Sequence, residues 1–214
     1  VKKVESGKFR FCGKEIEQLK DFSIKVTCKD STEQIGLIKF GTVKRKMTEL
    51  ASDNEIAQMR SVVGSLGWIA RQCRPDLSYD VSKGQSVVTK ATLKDLKECN
   101  LAVDKARQNS DKGIIWSSDA VSWETAVVVT ISDASFAQET VIESDGKEKP
   151  HRTQKAFMIL LVDPDILSKD TAGCHVWAWR SLTDKRVCRA TLQGEAHGML
   201  SGTEMGDRLR AIIA

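Results

Sequence analysis

Val127-Val-Val-Thr-Ile-Ser-Asp133-Ala-Ser-Phe136 is the stretch that decides the fold of the second half of the chain. Its run of β-branched residues predicts a central strand, and Ser132-Asp133 marks the point where we expect a turn. A strand of this kind carries one acidic side chain to the rim of a sheet. We therefore expect the second half to be built around Asp133, with Glu195 as its partner.

Two more apolar runs, at 156–162 and 175–179, predict strands beside this one. Continuous apolar runs are typical of strands that are buried on both faces. Because no helical pattern separates the runs, we expect the three strands to be antiparallel neighbours. The polar segment 138–152 predicts a loop with a turn at Asp145-Gly146.

Residues 191–213 predict a long helix with glycines at 194, 198, 202 and 206. A stripe of small residues lets a helix lie close to a sheet. Each glycine also weakens the helix by on the order of 1 kcal/mol relative to alanine. The stripe therefore predicts tight packing of this helix against the strands.

The first half of the chain begins with a β pattern. Residues 8–16 roughly alternate apolar and polar side chains, with a turn near Gly13. Residues 24–28 are the next candidate strand and are expected to pair with this hairpin.

The clearest helix of the chain is expected to begin after Ser52 and to end near Arg74, because the following Pro75 disfavours a helical residue before it. Apolar residues recur in it at intervals of three and four, which predicts one buried stripe. Gly64 and Gly67 inside it predict close packing. Further helices are expected over 76–88 and from Thr92 to Ala106, so that 31–110 is mostly helical.

The polar, turn-rich segment 109–113 predicts a domain boundary. Residues 1–110 carry a formal charge of +7, whereas residues 111–214 carry −3. This asymmetry suits a protein that binds a polyanion with one part and does carboxylate chemistry with the other, although such imbalances are also common on solvated surfaces. The chain is therefore expected to have an α+β or α/β fold, with a helical region followed by a sheet and a packed helix.

Composition excludes several classes of protein. No apolar run approaches the roughly 18 residues that a membrane helix needs, and the N-terminal stretch lacks the apolar core of a signal peptide. We therefore expect an intracellular protein with no membrane partner. The absence of an initiator Met suggests a piece of a longer protein. The six cysteines and three histidines are scattered and form no Cys-x-x-Cys pair, which predicts reduced thiols and argues against a zinc site.

Four segments resemble the Pol polyprotein of copia-type retrotransposons. Residues 60–79, which include Arg-Pro-Asp-Leu-Ser-Tyr at 74–79, resemble the thumb-region helix and RPD(L/I)S(Y/F) motif of the family's reverse transcriptases. Residues 131–136 are similar to its SDADW motif, which carries the first catalytic Asp of ribonuclease H. Trp179-Arg-Ser181 followed by 189–196 resembles SWKS…SSTEAE, which carries the second acid, and 9–16 is similar to the hairpin that grips the primer end.

The resemblance implies that 1–30 is the end of a polymerase palm, 31–110 a thumb or connection region, and 111–214 a C-terminally incomplete ribonuclease H-like domain with a mixed sheet. The parent would copy RNA into DNA and hydrolyse the RNA strand of RNA–DNA hybrids by a two-metal mechanism. Its implied partners are an RNA–DNA hybrid or a primer–template duplex and the remainder of the Pol polyprotein.

The resemblance also implies roles for individual residues. Asp133 and Glu195 would be the catalytic acids and would hold Mg²⁺. Basic side chains would track the nucleic-acid backbone. The basic residues predicted to do so are Lys14, Lys44, Arg45, Lys46, Arg71, Arg74 and Arg180.

Several departures from the family predict that this chain is inactive alone. Its only tyrosine, Tyr79, is followed by Asp80-Val-Ser82, so the Tyr-x-Asp-Asp turn of the polymerase site is absent. Gly194 and His197 stand where the family motif has Thr and Glu. Asp207 cannot supply a missing acid, because it lies about 18 Å along a regular helix from Glu195.

Other interpretations stay open. Asp133 can be a residue of a strand-end turn, and Glu195 an acid favoured by the dipole of a helix N-terminus. The whole chain can be a non-catalytic nucleic-acid-binding module or the relic of a decayed element. A transposase or integrase of the same fold is a third possibility, but the primer-grip-like hairpin argues against it.

Overall fold

The computed structural model describes residues 7–41, 45–142, 148–184, 186 and 188–213, with the backbone alone at 137–142 and 148–152. The chain divides into two compact units, Val1–Ile115 and Trp116–Ala214. The first unit combines a four-stranded sheet with helices, and the second has a three-stranded sheet and one long helix. Both units therefore belong to the α+β class.

The sheet of the first unit has the strand order β1-β2-β3-β4. Its strands are β1 (Lys8–Phe11), β2 (Lys14–Gln18), β3 (Ile24–Thr27) and β4 (Gly113–Trp116). The predicted hairpin is confirmed: β1 and β2 are antiparallel, and the turn residues Cys12 and Gly13 both have positive φ angles, of 48° and 78°.

Strand β4 belongs to the first sheet, whereas the predicted boundary at 110/111 places it in the second domain. A side chain at Gly113 would put its Cβ 2.0 Å from the carbonyl oxygen of Val26 in β3. Only glycine lets the two backbones approach this closely. The first unit therefore extends slightly beyond the polar segment 109–113.

The helices of the first unit follow the predicted order. They are α1 (Lys29–Glu33), α2 (Asp53–Gln72), α3 (Ser78–Val87) and α4 (Leu93–Gln108), with single 3₁₀ turns at Pro75–Leu77 and Val88–Lys90. Helix α2 has the capping box of Ser52 and Glu55 at its start and ends before Pro75, as expected. Of its two glycines, Gly67 packs against Val81 of α3, but Gly64 has no close neighbour, so the prediction of tight packing holds at only one of them.

Glu55 at the start of α2 is a buried carboxylate with several donors. It accepts hydrogen bonds from the backbone N–H of Ser52 at 2.8 Å and from Nη1 of Arg45 at 2.9 Å. The Ser52 backbone first, and then the Arg45 guanidinium, lower the pKa of Glu55 from its ordinary 4.5 to about 2. Because the folded-state pKa is depressed, this stabilisation is present above pH 4.5 and is lost as the pH falls toward 2.

We therefore expect Glu55→Gln to lower the free energy of unfolding at neutral pH by about 1 kcal/mol, because glutamine can keep the contact with Ser52 but cannot form the ion pair with Arg45. The difference from the wild type should shrink as the pH falls from 4.5 toward 2. Urea unfolding at a series of pH values measures it. Glu49→Gln is the matched control, because Glu49 also faces Arg45, at 3.6 Å, but is exposed. A difference that stays constant across this pH window would contradict the prediction.

The sheet of the second unit is antiparallel throughout, in the order β5-β6-β7. Its strands are β5 (Val127–Ile142), β6 (Glu148–Val162) and β7 (Cys174–Thr183), and a 3₁₀ turn at Pro164–Leu167 lies between the last two. The predicted antiparallel order of the three strands is confirmed, whereas the mixed sheet implied by the resemblance is not observed.

Much of the expected polar loop at 138–152 is strand, which corrects the prediction. Backbone pairs such as Glu139↔Arg152 and Val141↔Lys149 continue the β5–β6 ladder past the apolar core. Ladder hydrogen bonds join backbone groups, so polar side chains do not prevent them. The turn expected at Asp145-Gly146 lies outside the described residues.

Helix α5 (Thr191–Ile213) covers one face of this sheet along the predicted glycine stripe. The glycines lie over Thr130 and Ser132 of β5 and Thr153 and Phe157 of β6, and the contact distances leave no room for a side chain at Gly202. The buried residues of this layer are Val121, Phe157, Ile159, Leu161 and Leu209.

The opposite face of the β5–β7 sheet is more open than the sequence predicts. Ile131 of β5, which faces away from α5, is 53 % exposed. The prediction that these strands are buried on both faces is therefore wrong for the described residues of this unit. Among the described residues, no helix combines the length and the apolar content that crossing a membrane requires.

Candidate functional site

Asp133 lies within β5, opposite Ala156 of β6, and its side chain is exposed. The turn expected at Ser132-Asp133 is wrong, because backbone pairing with β6 continues β5 to Ile142. The neighbouring Ala134 points toward α5: a Cβ at Gly194 would lie 3.7 Å from the Ala134 Cβ. Because successive side chains of a strand point to opposite faces, Asp133 projects from the face of the sheet that α5 does not cover.

Glu195 lies in the first turns of α5 and is half-buried. Its helix runs along the face of β5 that carries Thr130, Ser132 and Ala134. The backbone of Asp133 is close to this helix, since its carbonyl oxygen would be 3.5 Å from a Cβ at Gly198. The two carboxyl groups nevertheless start from opposite sides of β5, so the structure does not bring the expected pair together.

Arg74 is a predicted nucleic-acid contact that the structure buries. Its guanidinium is 2 % exposed and forms two hydrogen bonds with Asp76, at 2.8 and 2.9 Å. It also donates to the carbonyl oxygens of Asn109 at 2.7 Å and Ala106 at 3.3 Å, at the C-terminal end of α4. Every one of these partners belongs to the same unit, so Arg74 is a structural residue here. Its prediction as a nucleic-acid contact is therefore corrected.

Arg45 is also engaged within its unit. It binds Glu55 through Nη1, donates to the carbonyl oxygen of Leu50 and has Nε 3.6 Å from Glu49. Two carboxylates therefore offset the charge of Arg45, so it would attract a phosphate only weakly. Lys44, the neighbouring predicted contact, lies outside the described residues.

The other predicted basic contacts remain accessible. Lys46, Arg71 and Arg180 are exposed, and Lys14 in β2 is half-buried. Arg71 lies in the last turn of α2, and Arg180 in β7. Of these four, Lys14, Lys46 and Arg71 belong to the first unit, which is the more basic half of the sequence.

A second cluster of chemically active side chains lies where β7 leads into α5. Asp184 follows β7, Cys188 lies in the connection, and His197 is on α5. One ligand atom from each lies within 4.8 Å of the others. The Nδ1 atom of His197 is 2.7 Å from Oδ2 of Asp184 and 3.7 Å from the sulfur of Cys188.

The surroundings hold Asp184 as an oriented carboxylate. Its side chain is 5 % exposed, Oδ1 accepts a hydrogen bond from the N–H of Arg186 at 3.0 Å, and Nζ of Lys155 is 3.7 Å from Oδ2. Burial alone would raise the pKa of Asp184. The Arg186 N–H, the His197 ring and the Lys155 charge outweigh it and lower that pKa. The carboxylate is therefore ionised at neutral pH.

The geometry of the cluster excludes a catalytic triad with Cys188 as nucleophile. In a triad, the acid and the nucleophile contact different nitrogens of the imidazole ring. Here the Asp184 oxygen and the Cys188 sulfur both lie near Nδ1 of His197. The oxygen and the sulfur thus lie beside the same ring nitrogen, and the three atoms are close enough to share one metal ion.

Short ligand spacings, such as Cys-x-x-Cys, do not predict this cluster. Cys188 and His197 are separated by the start of a helix, and Asp184 precedes both. One usable indication was present in the sequence: Cys188 and His197 lie only nine residues apart, on either side of the start of a predicted helix. Convergence itself depends on the path of the β7–α5 connection, which residue spacing does not reveal.

Comparison with known proteins yields no relative. The chain matches no family model, no curated protein and no solved structure. Function therefore has to be inferred from the residues and from the geometry within each unit.

Proposed function

We propose that the chain is a piece of a copia-type retrotransposon Pol polyprotein that binds an RNA–DNA hybrid or a primer–template duplex. The parent would be an RNA-directed DNA polymerase and ribonuclease H with Mg²⁺ as its cofactor. The observation that carries the proposal is that each of the four resembling segments falls on the kind of element the family requires there. These elements are the β1–β2 hairpin, helix α2 leading into Pro75, the first strand of an antiparallel sheet, and the helix that follows the sheet.

The proposed piece does not cleave RNA by itself. Carboxylates suit Mg²⁺ chemically, and two-metal hydrolysis needs ions about 3.5–4 Å apart. Asp133 projects from the face of β5 that is not covered by α5, the helix that carries Glu195, so in this arrangement the two acids do not fit a shared pair of ions. Asp207 adds no ligand, because it is exposed further along α5 and its Oδ1 is 3.4 Å from Nη2 of Arg210.

Binding would rest on charge more than on base contacts. The exposed side chains of Lys46 and Arg71 can each neutralise a phosphate and release counterions. A hybrid duplex would be recognised by its shape and its 2′-hydroxyls, with little sequence preference. The affinity should therefore fall steeply with salt.

Fluorescence anisotropy with a labelled RNA–DNA hybrid tests this proposal. We expect a plot of log affinity against log salt concentration with a slope of about −2 to −4, as for three or four phosphate contacts. Lys46→Ala and Arg71→Ala should each make the slope shallower by about 1. Lys94→Ala is the matched control, because Lys94 is an exposed lysine of the same unit outside the predicted set. Equal losses in all three variants, or no binding, would contradict the proposal.

The inactivity of the isolated chain is tested separately. We expect no hydrolysis of the RNA strand with Mg²⁺ and no primer extension by the purified chain. Cleavage that Asp133→Asn abolishes would show that the two acids do converge in solution.

A non-catalytic binding module is the second candidate, and the separation of Asp133 from Glu195 favours it. A Mg²⁺ titration of a chain extended past residue 214 distinguishes the two. A specific site that Asp133→Asn weakens, with duplex binding unchanged, would support the enzyme. No specific Mg²⁺ site in that chain would support the module.

A further inference from the structure

We propose that Asp184, Cys188 and His197 form a Zn²⁺-binding site that ties the β7–α5 connection to α5. The three side chains supply an oxygen, a sulfur and a nitrogen ligand within 4.8 Å of one another. This site is separate from the proposed Mg²⁺ chemistry and does not depend on the retrotransposon assignment.

The ligand types select the metal. Thiolate and imidazole ligands favour Zn²⁺ and related transition metals, whereas Mg²⁺ and Ca²⁺ prefer oxygen ligands alone. The thiolate of Cys188 and the carboxylate of Asp184 would together balance the charge of a divalent ion. Three protein ligands leave a fourth tetrahedral position for water.

The distances are close to those of a zinc site. Ligand atoms around a tetrahedral Zn²⁺ lie about 3.3–3.6 Å apart, from bond lengths of about 2.0–2.3 Å. The Cys188 sulfur is 3.7 Å from Nδ1 of His197, and the Asp184 oxygen is 2.7 Å from it. An entering ion would replace the Asp184–His197 hydrogen bond, and those two atoms would separate by about 0.6 Å.

Two of the three ligands, Asp184 and His197, are held in place without the metal. Asp184 donates its N–H to the carbonyl oxygen of Thr153 at 2.7 Å, and its Oδ1 is fixed by the N–H of Arg186 at 3.0 Å. His197 is on α5, whose glycines at 194 and 198 keep this end of the helix close to β5 and β6. Metal binding would therefore need little further ordering of Asp184 and His197. Coordination would release the thiol proton of Cys188 and any Nδ1 proton of His197 to solvent.

Lys155 is a cation that lies beside the site. Its Nζ is 3.7 Å from Oδ2 of Asp184 and donates to Ser201 at 3.1 Å. It would compete with the ion for the carboxylate, and it keeps its hydrogen bond to Ser201 when the ion binds. Removing this positive charge should therefore tighten Zn²⁺ binding, whereas removing a ligand should weaken it.

Competition with a chromophoric zinc chelator, using the whole 214-residue chain, tests the proposal. We expect one Zn²⁺ per chain, not displaced by an excess of Mg²⁺. Cys188→Ser and His197→Gln should weaken binding by at least about tenfold. Lys155→Met should tighten it by about tenfold, roughly the effect of one partly screened charge at this distance.

Cys174→Ser is the matched control, because Cys174 is an exposed cysteine of the same unit outside the cluster. Circular dichroism checks that each variant is folded. If Cys188→Ser does not fold, Co²⁺ substitution in the wild type still decides the matter, since bound Co²⁺ should show thiolate-to-metal charge-transfer absorption. No stoichiometric Zn²⁺ binding, or equal affinity in the Cys188→Ser and Cys174→Ser variants, would overturn the proposal.

Discussion

Arg74→Ala is expected to lower the free energy of unfolding of the first unit by about 3 kcal/mol. The guanidinium is 2 % exposed and binds Asp76 through two hydrogen bonds and the end of α4 through the carbonyls of Ala106 and Asn109. Truncation would leave these acceptors without a donor and would open a cavity beside α2. Urea denaturation followed by far-UV circular dichroism measures the change.

Arg71→Ala provides the matched control. Arg71 lies in the last turn of α2, three residues before Arg74, and its side chain is exposed. Its removal should change stability by less than about 0.5 kcal/mol. Binding to the hybrid should show the opposite order. Arg71→Ala should weaken the affinity, because Arg71 is a proposed phosphate contact, and Arg74→Ala should not. Equal stability of the two variants would contradict the structural role of Arg74.

The pH dependence of this pair supplies a further check. The Arg74 guanidinium holds the pKa of Asp76 below its ordinary value of 3.8. The corresponding stabilisation is therefore present above pH 3.8 and is lost as the pH falls below it. Arg74→Ala should remove this dependence, so the difference from the wild type should narrow in acid.

The role of Arg74 gives the Arg-Pro-Asp segment a physical explanation. Helix α2 ends shortly before Pro75, Pro75 and Asp76 begin the 3₁₀ turn that follows, and Arg74 connects this turn to the last carbonyls of α4. Favourable contact between a cation and a helix C-terminus is a general effect. The segment is thus explained by how α2, α3 and α4 are held together, without any contact to nucleic acid.

Features that act over a few residues were predictable from the sequence. The capping box of Ser52 and Glu55, the arrest of α2 before Pro75 and the turn at Gly13 all depend on near neighbours. Burial of Arg74 was not predictable, because two of its partners come from the end of α4, far along the chain.

The candidate site was predictable only in part, for a similar reason. The sequence places Glu195 on a helix, and the structure has it there, whereas Asp133, expected at the end of a strand, lies within β5, which continues to Ile142. Which face of β5 the helix covers depends on how the glycine stripe meets the strand, and a shift of one residue exchanges the two faces. The meeting of Asp184, Cys188 and His197 likewise depends on the path of a connection that has no periodic pattern.

Gly202→Leu is expected to destabilise the second unit by about 3 kcal/mol, although leucine is the better helix former. A Cβ at this position would lie 2.7 Å from Cγ2 of Thr130 and 3.4 Å from the Cβ of Phe157. A leucine would force α5 away from β5 and β6 and would expose the buried layer that includes Leu209. Thermal and urea unfolding, followed by tryptophan fluorescence of this unit, measure the loss.

Thr203→Leu separates packing from helix propensity. Thr203 is the next residue of α5 and is exposed, so leucine there should change stability by no more than about 0.5 kcal/mol. The sign of the Gly202 effect decides between two explanations of the glycine stripe. A loss of stability means that the glycines are needed for the close approach of α5 to the sheet. A gain of about 1 kcal/mol, the difference in helix propensity, would mean that α5 can move outward freely and that the stripe is not a packing requirement.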